Sequence, residues 1–243
     1  PSVTWEKTIM KNIGLDFSIF KDRINGSFDY FWNDVTDMLD LATSPGLSML
    51  GTYPINGGHI RRYGWDFTLN TQNIVSRDFK WSSSLTLSHY NSVWKERMPN
   101  YTWLDYQVRK DEPVNAVYFY RTNGIVNADK SNMPSYQPEG YQKPGYPIIE
   151  DLNGDNQITV EDVDMVNVVP SVYGGLNNHF SYKNWDLDVF LYAQLGLKKY
   201  NYIYTWARGA QLAAQNLNQS ALIKEVWTSE NQAGTIPGLA AET

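Results

Sequence analysis

The 243-residue sequence predicts an all-β protein, an antiparallel transmembrane β-barrel segment with long extracellular loops and a short loop helix, and three observations carry that expectation. Apolar and polar residues alternate with period two over stretches far longer than the ~5 to 6 residues of an average strand. Aromatic residues are abundant, with 9 Trp, 17 Tyr and 9 Phe making 14% of the chain; such enrichment suits a membrane interface or a carbohydrate platform. Short turns alternate with long connections, which gives the chain a direction.

The first alternation sets Trp5, Lys7, Ile9, Lys11, Ile13, Leu15, Phe17 and Ile19 on one side and Glu6 to Ser18 on the other. After a turn at Lys21-Asp22-Arg23 the phase restarts with Ile24, Gly26, Phe28, Tyr30 and Trp32, so the two runs read as a hairpin. A second hairpin joins Tyr63, Trp65, Phe67 and Leu69 to Phe79, Trp81, Leu85 and Leu87 through a turn near Ile74 to Asp78. A third joins Leu176, Phe180 and Tyr182 to Trp185, Leu187, Val189 and Leu191 through Lys183-Asn184, with Phe190 and Tyr192 breaking the polarity. A weaker seventh strand is expected at Val117 to Val126, and a helix within Ala207 to Trp227. The intervening stretches, about Asp34 to Gly58, Tyr90 to Asn115 and Asn127 to Pro170, read as long irregular loops. The third carries Pro134, Pro138, Pro144 and Pro147 and is expected to lie extended.

Two architectures fit such strands. In a soluble sandwich the apolar face is core; in an outer-membrane barrel it faces lipid and the polar face lines a lumen. Strand length, aromatics near strand ends (Trp5, Phe17, Trp32, Tyr63, Phe79, Trp81, Tyr182, Trp185) and the asymmetry of turns and loops favour the barrel. On that reading Asp16, Asp29, Asp66, Asp186 and Asp188 face the lumen as solvated wall. No apolar run reaches the ~18 to 20 residues of a spanning helix. Pro1-Ser2-Val3-Thr4 does not open a signal peptide, so any export signal is expected outside this sequence.

The chemistry the composition allows is narrow. With 26 Asp and Glu against 20 Lys and Arg and no basic stripe, nucleic acid is not an expected partner. The absence of cysteine excludes disulfides, thiolate metal sites and a Cys nucleophile. His59, His89 and His179 lie in separate segments, and no P-loop, GxSxG or HExxH is present, so no enzyme is expected. Tyr101, Trp103, Tyr106, Tyr118, Phe119 and Tyr120 are expected to pack within their loops rather than to stack on sugars. One motif stands out. From Asp151, oxygen side chains fall at positions 1, 3, 5, 9 and 12 (Asp151, Asn153, Asp155, Thr159, Asp162), with a backbone carbonyl from Gln157 at position 7. That is close to a calcium loop, except that position 6 is Asn156 in place of Gly and position 12 is Asp in place of Glu. With no helix expected before it, a structural Ca2+ held by Asp151, Asn153, Asp155, Gln157 and Asp162 is the expectation, bracing an external loop.

Collinear segments then carry a resemblance. TWEKTIMKNIGLDFSIFKDRINGSFDYFWNDVTDML, GGHIRRYGWDFTLNTQNIVSRDFKWSSSLTLSHYNSVW, VYFYRTNGIV, DLNGDNQIT, VYGGLNNHFSYKNWDLDVFLYAQLG and LNQSALIKEVWTSENQAGTIPGL follow one another as in SusC/RagA-like TonB-linked (TonB-dependent) outer-membrane transporters. His59 to Gly64 departs from the acidic-Asn-Lys-Gly stretch that the family usually carries. The resemblance implies a partial TonB-dependent receptor barrel over residues 1–243, about seven of the roughly twenty-two strands of such transporters. The signal peptide, plug domain and terminal strands would lie outside Pro1 to Thr243. It further implies residence in the bacterial outer membrane among its lipids, uptake of oligosaccharides or peptides, a SusD-like surface lipoprotein over the loops, and energy from TonB through the plug. The alternative is a soluble, secreted, calcium-stabilised carbohydrate-binding sandwich.

Overall fold

The computed structural model describes residues 3–43, 51–201 and 221–238. Among them ten strands follow in chain order: β1 (Lys7–Ile19), β2 (Ile24–Thr43), β3 (Thr52–Val75), β4 (Phe79–Glu96), β5 (Ala116–Tyr120), β6 (Thr122–Ile125), β7 (Pro147–Ile149), β8 (Val163–Asn167), β9 (Val172–Tyr182) and β10 (Trp185–Leu195). The chain divides into two compact units, Pro1–Ala116 with Asn167–Lys198, and Val117–Val166 with Lys199–Thr243.

The first unit is a single antiparallel sheet in the order β1-β2-β3-β4-β9-β10. All three predicted hairpins are present, and their alternations lock into one register. The row Phe17, Gly26, Leu69, Leu85, Leu176 and Leu191 crosses all six strands, and the next row on the same face is Leu15, Phe28, Phe67, Leu87, Gly174 and Ala193. Between them, on the opposite face, runs Asp16, Ser27, Thr68, Thr86, Gly175 and Tyr192. A slip of one residue anywhere would put an entire apolar set on the polar side, so the side-chain pattern itself selects this pairing. Close approach matters too. A Cβ on Gly174 would lie 2.0 Å from the Thr86 carbonyl oxygen, so glycine permits β9 to draw up against β4.

The short-turn end is tied down locally. Phe20, Lys21 and Asp22 all take positive φ, and the Arg23 guanidinium donates to the carbonyls of Gln72 (3.0 Å) and Asn73 (3.1 Å), joining the first turn to β3. Lys183 also takes positive φ in the two-residue connection of β9 to β10.

Burial separates the two architectures that the sequence left open. The buried apolar residues of this unit are Val35, Ala42, Ile60, Val93 and Met98, all toward the long-loop end. The apolar band across the middle of the sheet enters no core: Leu187 is 58% exposed, and Trp65 and Trp81 are only half-buried. A sandwich needs a second layer over those side chains, and the described residues of this unit form one sheet. The sandwich reading therefore loses its core.

Several expectations need correction. β2 and β3 do not end near Asp34 and Gly58; they remain paired from Ile24↔Thr71 out to Thr43↔Thr52. The reason is an inversion of polarity along the same strands. On the face that is apolar at Phe28 and Phe67, the later residues are Asp34, His59 and Arg61, while the other face turns from Ser27 and Thr68 to Val35 and Ile60. Period two survives, but its phase reverses where the strands leave the apolar band. Trp32 and Tyr63 thus mark the edge of that band and lie within the strands. β4 likewise continues to Glu96, and the segment after it folds back, with Trp94 N–H donating to the Glu112 carbonyl (2.8 Å) and Val114 N–H to that of Ser92 (2.8 Å).

The expected seventh wall strand is absent from the sheet. Val117 to Val126 instead splits at Arg121 into β5 and β6, which pair with β8 and β7 in two small sheets, and Gly124 at φ +97 lies where the β6–β7 register shifts. The Pro-rich stretch is not extended but turned, with a 3-10 turn at Glu139–Tyr141. Gln137, 2% exposed, organises it by donating to the carbonyls of Tyr141 and Pro147 and accepting from Ile149 N–H. Of the helix expected within Ala207 to Trp227, residues 207–220 lie outside the described residues, and Ala221–Glu225 is a 3-10 turn.

Among the described residues the sheet ends at two edge strands, β1 and β10, each paired on one side only. An open edge this long, beside an exposed apolar face, pairs with whatever strand it meets. Expressed alone, the chain is expected to aggregate or to require detergent. Size-exclusion chromatography without detergent checks this, and a monodisperse monomer there contradicts the barrel.

Candidate functional site

The loop from Asp151 to Asp162 lies in the second unit, and its predicted side chains are turned onto the loop's own backbone amides. The Asp151 carboxylate accepts the Gly154 N–H (2.7 Å) and the Asn156 N–H (2.8 Å). Asn153 Oδ1 accepts the Asp155 N–H (3.0 Å), and Asp155 Oδ1 accepts the Gln157 N–H (2.8 Å). Each side chain thereby turns the backbone one step further, as short Asx residues do. Asn156 takes φ +63, the left-handed conformation that its place in the motif requires and that Asn tolerates.

Asp162 closes the loop. Its carboxylate is fully buried and accepts amides from Leu152 (2.9 Å), Asn153 (3.4 Å) and Thr159 (2.7 Å), while Thr159 Oγ1 accepts the Glu161 N–H to cap the Val160–Asp162 turn. Burial pushes this carboxyl up, but the amides of Thr159, Leu152 and Asn153, with the Asp151 side chain, outweigh it and hold it below the usual range. A lowered native pKa means stability that is present above the unfolded value of ~3.9 and lost as pH falls through the native one. Asp162→Ala leaves three part-buried amides without their acceptor and is expected to cost about 1 kcal/mol of local stability. Hydrogen exchange at the Leu152 and Thr159 amides measures it; unchanged protection contradicts the closing role.

The donors available to a cation are all oxygen, which suits a hard ion such as Ca2+ over zinc or copper. Asp151, Asn153 and Asp155 keep lone pairs beyond the amides they accept, and Gln157 supplies its carbonyl. Asp162 accepts two amides at Oδ1 and one at Oδ2, which leaves Oδ2 a lone pair. Among the described residues no three His, Cys, Asp or Glu side chains converge closely enough to hold a metal ion.

The polar face of the six-stranded sheet is the second candidate. Asp16, Asp29, Asp66, Asp186 and Asp188 all lie on it, as expected. Toward the short turns it becomes an uncharged lattice, in which Ser84 Oγ donates to Asn70 Oδ1 (2.8 Å) and Asn70 Nδ2 to Asn25 Oδ1 (3.2 Å) around a hollow of about 190 Å³. His179 sits beside it, Nδ1 3.0 Å from Asp188 and Nε2 3.7 Å from Asp186. The three histidines have separate partners, His59 with Asp34 and His89 with the Ser171 carbonyl, so they build no common site.

The aromatic loop residues behave differently from one another. Trp103 is packed, 6.3 Å from the Trp94 ring, and its Nε1 donates to the Met98 carbonyl. Tyr101, Phe119 and Tyr120 are exposed. What sequence reasoning missed is the clamp beneath Trp103. The Arg97 guanidinium lies 4.6 Å from the Trp103 ring and 4.9 Å from that of Trp94, and it donates to the fully buried Glu112 carboxylate (2.9 Å) and to the Gln107 carbonyl. The cue was an Arg flanked by tryptophans with an acid fifteen residues on, a pattern without a periodic signature. In the second unit, the Trp227 of the Trp-Thr-x-Glu-Asn segment lies against Gly145, where a Cβ would stand 2.4 Å from the indole and φ is +85.

Comparison with known proteins agrees with this geometry. The chain is 25% identical over 250 residues to TonB-dependent receptor P3 of Formosa agariphila, covering 97% of this chain and 24% of that protein. It is 29% identical over 216 residues to TonB-dependent receptor SusC of Bacteroides thetaiotaomicron, covering 84% of this chain and 20% of SusC. The solved RagAB peptide importer in its closed-closed state superposes with a TM-score of 0.72 at 18% identity, over 99% of this chain and 26% of that one. The chain thus spans about a quarter of the relatives it matches. The family described as TonB dependent receptor-like, beta-barrel, matches residues 1–219, and the chain belongs to it.

Proposed function

We propose that this chain forms part of the wall, lumen lining and outer loops of a SusC-type importer in the bacterial outer membrane. It takes up oligosaccharides or peptides together with a SusD-like surface lipoprotein, and TonB supplies energy through a plug outside the chain. The observation that carries this reading is the single six-stranded sheet with an uncovered apolar band on one face and carboxylates, Asn and Ser on the other. Hydrocarbon suits the first face and a water-filled passage the second. The similarity to SusC and to the RagAB fold supports both the class and the partner. The test uses a strain lacking the full-length gene, complemented with a tagged copy. Co-purification of a surface lipoprotein and restored growth on one defined oligosaccharide or peptide source are expected. Unimpaired growth of the deletion strain on every such source contradicts import.

We propose that the Asp151 loop binds one Ca2+ through Asp151, Asn153, Asp155, the Gln157 carbonyl and Asp162, as a brace for an external loop. The all-oxygen donor set and the spacing support it. Calorimetric titration of chelator-treated full-length protein is expected to give a dissociation constant of about 10⁻⁴ to 10⁻³ M, the range of extracellular modules, and Asp155→Ala to abolish it. No heat at millimolar calcium leaves the loop closed by its own hydrogen bonds.

A further inference from the structure

Above the apolar band, the lipid-side face of the sheet carries a concavity that the import reading does not use. Its floor is aromatic, formed by Tyr30, Trp32 and Tyr63, and its rim is charged, formed by Arg61, Lys95 and Asp111, around about 500 Å³. The register shows which face this is: Tyr63 and Arg61 lie two and four residues beyond Trp65 on β3, on the side of Phe67 and Leu69, and Trp32 pairs with Tyr63. The polarity inversion places the hollow where the strands leave hydrocarbon. Directly below it run Leu15, Phe28, Phe67 and Leu87.

We propose that this concavity seats the phosphorylated sugar headgroup of an outer-leaflet glycolipid, whose acyl chains lie along the apolar rows beneath. The proposal rests on the membrane reading of the sheet. Each part of such a headgroup meets a matching surface. Sugar rings stack on aromatic faces, and Tyr30 and Trp32, 5.8 Å apart and tilted at 44°, bring two such rings together. A phosphate takes Arg and Lys donors at the membrane interface. Arg61 commits Nε and Nη2 to Asp34, 2.7 and 3.2 Å away, which fixes the guanidinium and leaves Nη1 for another acceptor. Lys95 pairs with Asp111, keeping two of its three donors, and Asp111, 41% exposed, offers an acceptor to sugar hydroxyls. Aromatics above apolar rows occur at any barrel interface; what sets this hollow apart is the rim of Arg61, Lys95 and Asp111 around them.

The experiment uses the full-length protein in mild detergent and native mass spectrometry with added lipid A, dephosphorylated lipid A and inorganic phosphate. Wild type is expected to retain lipid A about tenfold better than Arg61→Gln/Lys95→Gln, and to retain the dephosphorylated form only as weakly as that variant retains lipid A. Tyr63→Leu is expected to weaken both lipid forms. Heat-modifiable migration reports that each barrel is folded; should the double variant fail it, Lys95→Gln alone is read, with about a threefold loss expected. A folded variant that retains lipid A like wild type overturns the headgroup site, as does displacement of lipid A by millimolar phosphate. Labelling of Leu69→Cys by a water-soluble maleimide in intact membranes overturns the membrane reading instead, so the two failures are distinguishable.

Discussion

Replacing Arg97 by Ala in the full-length protein is expected to lower the local stability of residues 97–115 by about 3 to 5 kcal/mol, the cost of stripping a buried carboxylate of its partner. Glu112 has no exposed side-chain surface, and its Oε1 already lacks a hydrogen-bond partner, so it depends on the single Arg97 contact at Oε2. The same guanidinium fills the space between Trp94 and Trp103. Its loss removes charge, donors and packing together. Hydrogen exchange and limited proteolysis over 97–115 measure the effect, with the six-stranded sheet as internal reference. Arg97→Met with Glu112→Leu is expected to recover most of the loss, because two apolar groups leave no charge stranded. If Arg97→Ala changes neither protection nor cleavage, the clamp does not hold the loop.

Leu85→Arg is expected to destabilise the assembled barrel by about 2 to 4 kcal/mol, the cost of a cation near the middle of a lipid-facing strand. Leu85 is central in both directions: it pairs with Leu69 on β3 and Leu176 on β9, in the row from Phe17 to Leu191. Thr86→Arg is the control. Its residue is adjacent in sequence but faces the polar row with Thr68 and Gly175, where a charge meets water. Urea titration in detergent, followed by heat-modifiable migration, should separate the two variants clearly. Equal destabilisation would mean that the faces are not distinguished by solvent.

The hairpins were legible because two different surroundings impose opposite demands on alternate residues, as from Leu15 to Ile19; the pattern alone did not say whether the apolar side met a core or lipid, and the exposure of Leu187 decided that. Legibility stopped at Asp34 and Arg61 because the phase reverses there, and a scan for one continuous apolar face takes reversal for the end of a strand. Val117 to Val126 failed for another reason: its β-prone residues serve two small sheets whose partners, β7 and β8, are short and carry no alternation of their own. The Asp151 loop was readable residue by residue, since Asx side chains act on neighbouring amides. The amides that Asp162 accepts, from Leu152, Asn153 and Thr159, were not, because spacing alone does not show which backbone groups a carboxylate meets. The Arg97 clamp left no trace because aromatic and ionic contacts between a strand end and its returning loop have no period.

In the sheet, β4 is neighbour to β9, so everything from Arg97 to Ser171 is an excursion between two adjacent staves. Closing so wide a detour is expected to slow the joining of the hairpins, since its ends must find each other before any ladder forms. Yet once that toll is met, length is nearly free: doubling the detour adds only ~0.6 kcal/mol. Natural variation therefore has licence to rewrite the detour, while the staves on either side go on meeting at Leu85 and Leu176.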